Sequence, residues 1–316
     1  MDKAVRLFGK QQPIKRIQDM YFAGRLPHSI MLSGDKGLGK KQLAVWLASL
    51  MLCENADNGS PCFNCRSCRN IALAEHADVI YAMGEKYTAD SVRENVQLAS
   101  FYPSDGNLRV FIFEDCDKMS AVQQNILLKA IEEPSEYNRY IFTCENTSLI
   151  LPTIMSRVVN IPVAEMSCEE CEECLVFCGI DKAAAREAVV RYGTNPGRVM
   201  SVLYDKKQSA LYDSADKIAE ALAQINEYNA AKELAKYTDR QELMSLIGIL
   251  YEKLSRAALP AVPEEKTEKE LKEQLSLKKL YRLSDKLSDI LTLADTNFSA
   301  KLFSASVTAQ LFEILQ

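Results

Sequence analysis

The sequence contains no hydrophobic run long enough to cross a bilayer, which takes about 18 consecutive apolar residues. Its first twenty residues have neither the apolar core nor the small-residue cleavage site of a secretory signal. It also has no excess of basic residues, because 38 Lys and Arg face 43 Asp and Glu, for a formal net charge of −5. These absences predict a cytoplasmic chain without a membrane partner, and they argue against tight autonomous DNA binding.

What the sequence does contain is ten cysteines, unevenly placed. In a cytosolic chain they indicate metal ligands or buried packing rather than disulfides. One group of four lies in a short stretch rich in Asn, Gly, Ser and Pro: Cys53, Cys62, Cys65 and Cys68. Four thiolates at this spacing, on a loop with almost no apolar residue to fold around, predict a closed tetrahedral structural Zn²⁺ site. An iron–sulfur cluster and free structural thiols are the alternatives.

A second group of cysteines has the spacing of a bacterial ferredoxin motif: Cys168, Cys171, Cys174 and Cys178. No proline follows the fourth cysteine, which counts against a cluster. Ser167 as an N-cap, glutamates in the first turns and Gly179 at the end predict a helix instead. One apolar face of that helix would carry Cys171, Cys174, Leu175 and Cys178, so we interpret these cysteines as buried packing residues, with a cluster site as the alternative.

Five short apolar segments alternate with helical stretches in the N-terminal half. They are His28–Leu32, Ala77–Ala82, Leu108–Phe113, Tyr140–Thr143 and Val158–Ile161. This pattern predicts an α/β fold with a parallel five-stranded sheet that is covered on both faces. From about Met166 the strand pattern stops and helical periodicity continues to the C-terminus. A chain of 316 residues suits two or three domains.

The first predicted strand runs into a glycine-rich loop, S-G-D-K-G-L-G-K-K at Ser33–Lys41, and a helix follows. In that context the loop resembles a phosphate-binding P-loop. Gly34, Gly37 and Gly39 allow backbone N–H groups to surround a phosphate, and Lys40 would reach its outer oxygens.

The last position of this loop departs from the P-loop pattern. A Ser or Thr hydroxyl is needed there to coordinate Mg²⁺, and Lys41 cannot ligate a metal. The acidic pair after the third strand is also altered, to Glu114-Asp115 in place of Asp-Glu, and small positioning errors can cost about 100-fold in rate. We expect no hydrolysis at this site, while binding of ATP or ADP without turnover stays open.

Together these residues resemble the delta-prime family of bacterial DNA polymerase III clamp-loader subunits, within the AAA+ ATPases. The resemblance extends over essentially the whole chain and is best in the first 200 residues. Its carriers are the Phe8-Gly9 lead-in, the glycine-rich loop, the four-cysteine insert, FIFEDCDKMSAVQQNILLKAIEEP, LPTIMSR and GTNPGR.

The resemblance implies a domain organisation and a set of partners. It implies an AAA+ P-loop domain at 1–165 with a zinc insert at 53–68, a helical lid at 166–207, and a helical collar at 208–316 that packs into a pentameric ring. The implied partners are the tau/gamma and delta subunits and, through them, the sliding clamp and primer–template DNA. The implied role is a non-hydrolysing stator within the DNA-directed DNA polymerase III holoenzyme.

Arg157, in the segment LPTIMSR, matches the arginine of the family's Ser-Arg-Cys motif, although Val158 replaces the cysteine. The resemblance implies that Arg157 is an arginine finger that enters the neighbouring subunit's ATP site. Taken alone, an arginine at this position favours a surface salt bridge, and the motif context favours the arginine finger instead. Arg198 matches the sensor-2 arginine of the lid, and Thr143 and Asn146 fall near the sensor-1 position.

Two other functions remain open at this point. A tau/gamma-like subunit that binds and hydrolyses ATP itself is the first, and the identity of residue 41 separates it from a stator. A zinc-dependent interaction module without a role in replication is the second.

Overall fold

The computed structural model describes residues 6–82, 87–105, 107–259, 265–292 and 299–315. The chain divides into two compact units, Met1–Lys182 with Thr194–Arg198 and Ala183–Gly193 with Val199–Gln316. The predicted three-part division, with boundaries at 165 and 207, stays a prediction. Its outer limits at residues 1 and 316 lie outside the described residues.

The first unit is built on a five-stranded sheet. Its strands are β1 (Ser29–Ser33), β2 (Val79–Ala82), β3 (Arg109–Phe113), β4 (Asn138–Cys144) and β5 (Val159–Pro162). They lie in the order β2-β3-β4-β1-β5, and every neighbouring pair is parallel. The predicted five-stranded parallel sheet is therefore confirmed.

Seven α-helices accompany these strands in the described part of the first unit. They are α1 (Gln11–Phe22), α2 (Lys40–Leu52), α3 (Arg66–Ala72), α4 (Ala89–Leu98), α5 (Ala121–Glu132), α6 (Pro152–Met155) and α7 (Cys168–Phe177). Side-chain caps fix several of their starts, because Thr88, Ser120 and Ser167 each form a capping box. Short 3₁₀ turns follow β3 and β4, at Cys116–Lys118 and Thr147–Leu149.

Alternate residues of β1, β2, β3 and β4 enter two separate apolar cores. In β3, Val110 and Ile112 join one core with residues of α1, α2 and α3. Phe111 and Phe113 point the other way, into a core that contains residues of α4, α5 and α6. The sheet thus has helices on both faces, which explains why its strands are apolar almost throughout.

Every element that the structure describes in the second unit is a helix. These are α8 (Lys182–Tyr192), α9 (Pro196–Tyr204), α10 (Lys206–Ala223), α11 (Glu227–Leu234), α12 (Arg240–Ala258), α13 (Lys266–Gln274), α14 (Leu277–Thr292) and α15 (Ala300–Leu315), with α8 and α9 starting in the first unit. Inside this unit the buried Lys253 pairs with Asp216 at 2.6 Å and Glu265 at 2.5 Å. Among the described helices, none is both long and apolar enough to span a membrane.

Candidate functional sites

The glycine-rich loop lies at the carboxyl edge of the sheet, between the end of β1 and the start of α2, where ligands bind in open α/β sheets. Gly34, Gly37 and Gly39 all have positive φ angles. A Cβ on Gly34 would lie 2.3 Å from the carbonyl oxygen of Val163, and one on Gly37 would lie 2.6 Å from Asn195 Oδ1. Backbone conformation and close packing therefore both require glycine at positions 34 and 37.

Lys40 lies inside this loop and is almost fully buried. Its Nζ donates hydrogen bonds to the carbonyl oxygens of Gly34, at 2.6 Å, and Asp35, at 2.9 Å. Because both acceptors belong to the loop, the lysine ammonium is held beside the N-terminus of α2. The predicted contact of Lys40 with a phosphate stays a prediction.

Lys41 forms an ion pair with the first carboxylate after β3. Its Nζ is 3.1 Å from Oε2 of Glu114, and the other oxygen of Glu114 is buried without a hydrogen-bond partner among the described residues. Asp115 has a left-handed backbone, and its N–H donates to Thr143 Oγ1 at 2.9 Å. Lys118 pairs with the Asp115 carboxylate at 2.7 Å. Both acidic side chains are therefore already neutralised by a lysine.

Asn195 is a buried residue, not identified from the sequence, that forms a hydrogen bond to the glycine-rich loop. Asn195 Nδ2 donates to the carbonyl oxygen of Lys36 at 2.7 Å, and Gly197 N–H donates to that of Gly37 at 3.3 Å. Asn195 Oδ1 also accepts from the backbone N–H of Arg198 at 3.1 Å. The structure therefore places Arg198 in the turn that packs on the glycine-rich loop. The sequence signal that could have identified Asn195 is its place between Gly193 and Gly197, in a predicted turn.

Lys10 is a second residue that the sequence analysis did not identify. It follows Gly9 directly, is 1% exposed, and its Nζ has no hydrogen-bond partner within the described residues. Burial lowers the pKa of Lys10, and the nearby Glu170 carboxylate opposes that shift. A Cβ on Gly39 would lie 3.6 Å from Lys10 Cε, so this amine approaches the glycine-rich loop from α1.

The first cysteine group converges in space. The four sulfur atoms of Cys53, Cys62, Cys65 and Cys68 all lie within 4.8 Å of one another. Zn–S bonds of about 2.3 Å place tetrahedral sulfurs roughly 3.8 Å apart, so a small contraction would close the site around one ion. No other group of potential ligands in the described residues comes together in this way.

Backbone amides point at these sulfurs and favour their thiolate forms. The N–H of Cys62 donates to Cys53 Sγ at 3.2 Å, and that of Cys65 donates to Cys62 Sγ at 3.3 Å. The N–H groups of Asn64 and Cys65 lower the pKa of Cys62 to about 6, whereas burial raises that of Cys68. Four convergent sulfurs with donated N–H bonds fit a soft divalent ion.

The second cysteine group lies on α7, as predicted, with Ser167 as its N-cap. Cys171 is buried, and burial raises the pKa of Cys171 to about 12 and that of Cys174 to about 11. These side chains are therefore neutral thiols at pH 7. One detail of the prediction is wrong: Cys178 is exposed, because it lies beyond the last turn of α7 and does not continue the buried face.

Arg157 lies at the opposite edge of the sheet from the glycine-rich loop. It precedes β5, whereas Ser33 at the end of β1 is level with Pro162 at the end of β5. At about 3.3 Å per residue, this places Arg157 roughly 16 Å from the level of the loop. Its guanidinium contacts Glu132, Thr153 and Ser156.

The two residues near the predicted sensor-1 position have different contacts. Thr143 is buried at the end of β4 and accepts the hydrogen bond from Asp115 N–H. Asn146 caps the 3₁₀ turn through Ser148, and its own N–H donates to Asp117 Oδ2 at 3.2 Å. Thr143 is therefore bonded to Asp115 of the acidic pair, whereas Asn146 is bonded to Asp117, two residues further along the chain.

The family described as DNA polymerase III, delta subunit, matches residues 9–167 of the chain. Among curated proteins, the chain is similar to the DNA polymerase III subunit gamma of Buchnera aphidicola subsp. Baizongia pistaciae. That pair is 24% identical over 247 residues, which cover 78% of this chain and 62% of the relative. DNA polymerase III subunit gamma/tau of Mycobacterium tuberculosis H37Rv is 34% identical over 145 residues, or 44% of this chain and 25% of the relative.

The chain thus spans less than two thirds of the length of these relatives. Among solved structures, it is similar to a DNA polymerase III gamma subunit-related protein of Thermotoga maritima, with a TM-score of 0.49 and 16% identity. That alignment covers 96% of this chain and 99% of the other.

Proposed function

The chain belongs to the DNA polymerase III delta-subunit family, and from this premise we propose that it is a clamp-loader subunit of the delta-prime type. In this role it is a stator of an AAA+ ring that helps to load the sliding clamp onto primed DNA. It would assemble with tau/gamma and delta subunits, and it would donate Arg157 to the ATP site of a neighbouring subunit.

The observation that carries this proposal is the ion pair between Lys41 and Glu114. In an active P-loop site, a hydroxyl at position 41 and the nearby carboxylate would share the Mg²⁺ ion that bridges the phosphates. Here an ammonium lies beside Glu114 in place of the hydroxyl. A divalent ion at that position would have to displace Lys41 and would be repelled by it, which supports a subunit that does not hydrolyse ATP.

The position of Arg157 supports a contribution in trans. A group at the amino edge of the sheet, roughly 16 Å along β5 from the level of the glycine-rich loop, cannot reach a phosphate bound in the chain's own loop. It is about 39% exposed, so a neighbouring subunit can approach it. A guanidinium delivered in this way would stabilise the charge that develops on the transferred phosphoryl group.

We also propose that Cys53, Cys62, Cys65 and Cys68 hold a structural Zn²⁺ ion. Four sulfur ligands would leave no open coordination position, so the ion would supply stability and no catalysis. Its effect would be local, on the loop between α2 and α3.

The alternative is a tau/gamma-like subunit that hydrolyses ATP itself. The gamma and gamma/tau relatives favour it, as do the retained glycines and Lys40. Lys41 argues against it.

Substitution of Arg157 tests the proposal in the reconstituted assembly with tau/gamma and delta subunits. We expect Arg157→Ala to slow turnover at the one site that it serves by about 10³-fold, because that site loses its arginine. In a single-turnover measurement, the fast phase should lose the amplitude of that site. Arg157→Lys should not restore it, since an ammonium lacks the planar fork of a guanidinium.

Arg93→Ala is the matched control, because Arg93 is another exposed arginine in an ion pair, with Asp90 at 2.6 Å. This variant should leave the amplitudes of the fast and slow phases of ATP hydrolysis unchanged. An unaltered fast phase in a folded Arg157→Ala assembly would refute the assignment of Arg157.

A further inference from the structure

The carboxylate that contacts Arg157 lies at an unusual place for an acidic residue. Glu132 is the last residue of α5, and a negative charge at a helix C-terminus is opposed by the helix dipole. Its Oε1 is nevertheless 3.0 Å from Arg157 Nη2. The arginine therefore offsets an electrostatic cost that Glu132 would otherwise impose on the end of α5.

The guanidinium of Arg157 has acceptors on both of its terminal nitrogens. Nη1 donates to the carbonyl oxygen of Thr153 at 2.9 Å and to Ser156 Oγ at 3.0 Å, while Nη2 contacts Glu132. Thr153 and Ser156 belong to α6 and its end, whereas Glu132 comes from α5. Because the group is planar, acceptors on two different sides fix both its plane and its direction.

We infer that Glu132 is a positioning residue for Arg157, which orients the guanidinium before it meets the neighbouring ATP site. This inference rests on the function proposed above for Arg157. Thr153 and Ser156 contact only Nη1, so by themselves they leave the guanidinium free to rotate about that nitrogen. The contact from α5 removes this freedom, so orientation depends on Glu132.

Stability is not the main consequence of the contact. Both side chains are about 40% exposed, and ion pairs at that exposure contribute little to folding. Orientation has a larger effect on a reaction, because a displacement of about 1 Å in a catalytic group can cost about 100-fold in rate. The effect of Glu132 should therefore appear in turnover and not in thermal unfolding.

The test uses Glu132→Ala and Glu132→Gln in the reconstituted assembly. We expect Glu132→Ala to lower kcat at the site served by Arg157 about tenfold with KM unchanged, as for a contact that matters only in the transition state. Glu132→Gln keeps an acceptor oxygen at the same place and should restore most of the rate. Glu133→Ala, at the adjacent exposed position, is the matched control and should have no effect.

A double-mutant cycle separates positioning from a structural role. In an Arg157→Ala background, Glu132→Ala should cause no further loss, and the unfolding temperature of the isolated chain should stay the same. If Arg157→Ala slows the reaction but Glu132→Ala does not, or accelerates it, the positioning role is wrong and the proposed function stands. If Arg157→Ala itself leaves the rate unchanged, the proposed function and this inference are both wrong.

Discussion

Three lysines converge on the glycine-rich loop, and each is held in a different way. Lys40 is bound by two carbonyl oxygens of the loop, Lys41 by the Glu114 carboxylate, and Lys10 is buried without an acceptor among the described residues. Their positive charges would attract a phosphate to the loop. These lysines would repel a metal ion, and the Glu114 carboxylate that could attract one is already paired with Lys41.

Replacing Lys41 tests this account at a single position. We expect Lys41→Thr to raise the affinity for ATP in the presence of Mg²⁺ by about tenfold or more, since it removes a repulsion worth about 1–4 kcal/mol and adds a hydroxyl ligand. Calorimetric titration with and without Mg²⁺ measures both effects. Lys41→Ala is the control that removes the ammonium without adding a ligand. Equal affinities for the two variants would show that the hydroxyl contributes nothing.

At the scale of elements, the loop between α2 and α3 has little structure of its own. One isolated bridge joins Asp57 to Ser60, and Gln18 of α1 donates to Asn58 O and Ser60 Oγ, both at 3.2 Å. The loop has thirteen residues, 53–65, and these few polar contacts offset only part of the conformational entropy that is lost when they are ordered. Ala56 and Phe63 of the loop also pack against the core formed with α1, α2 and α3. The four converging sulfurs are a further source of order.

Cys65→Ser is an informative change in this loop because Cys65 has two roles. It is the N-cap of α3, where its side chain accepts from Cys68 N–H, and it is a candidate ligand. Serine is a good N-cap, so the start of α3 should be preserved while the metal site is lost. We expect bound zinc to fall from one equivalent towards zero, with faster hydrogen exchange across residues 53–70.

Cys178→Ser provides the control for this experiment, because Cys178 is an exposed cysteine outside the group. It should retain one equivalent of zinc by metal analysis. A full equivalent in Cys65→Ser would contradict the proposed ligand set.

The elements that could be predicted from sequence are those with a local pattern. The five strands are near-continuous apolar segments, and α7 carries its own cap at Ser167. Contacts between distant residues were not predictable in this way. Asn195 meets Lys36 across 159 positions, and Cys116 contacts Cys144 only because β3 and β4 are neighbours. Such pairs depend on strand order and packing, which periodicity does not specify.

At the scale of the whole molecule, the two features of the first unit that we propose to contact ATP face opposite edges of one sheet. The glycine-rich loop is at the carboxyl edge, and Arg157 is at the amino edge. A single copy cannot bring them together, because the sheet that separates them is the rigid core of the unit. A complete ATP site would therefore combine residues from two chains.

The isolated chain should consequently be inactive, for two separable reasons. We expect no Mg²⁺-dependent ATP hydrolysis above background for the wild-type chain, since it lacks the hydroxyl at position 41 and any arginine supplied by a neighbour. Lys41→Thr should bind nucleotide yet still turn over far below the ~10 s⁻¹ that is typical of enzymes, because only the first defect is repaired. Phosphate release by each purified protein measures both. Turnover by the wild-type chain at the rate of an active AAA+ subunit would instead support the tau/gamma-like function, and Lys41 would then have to move away from Glu114 when nucleotide binds.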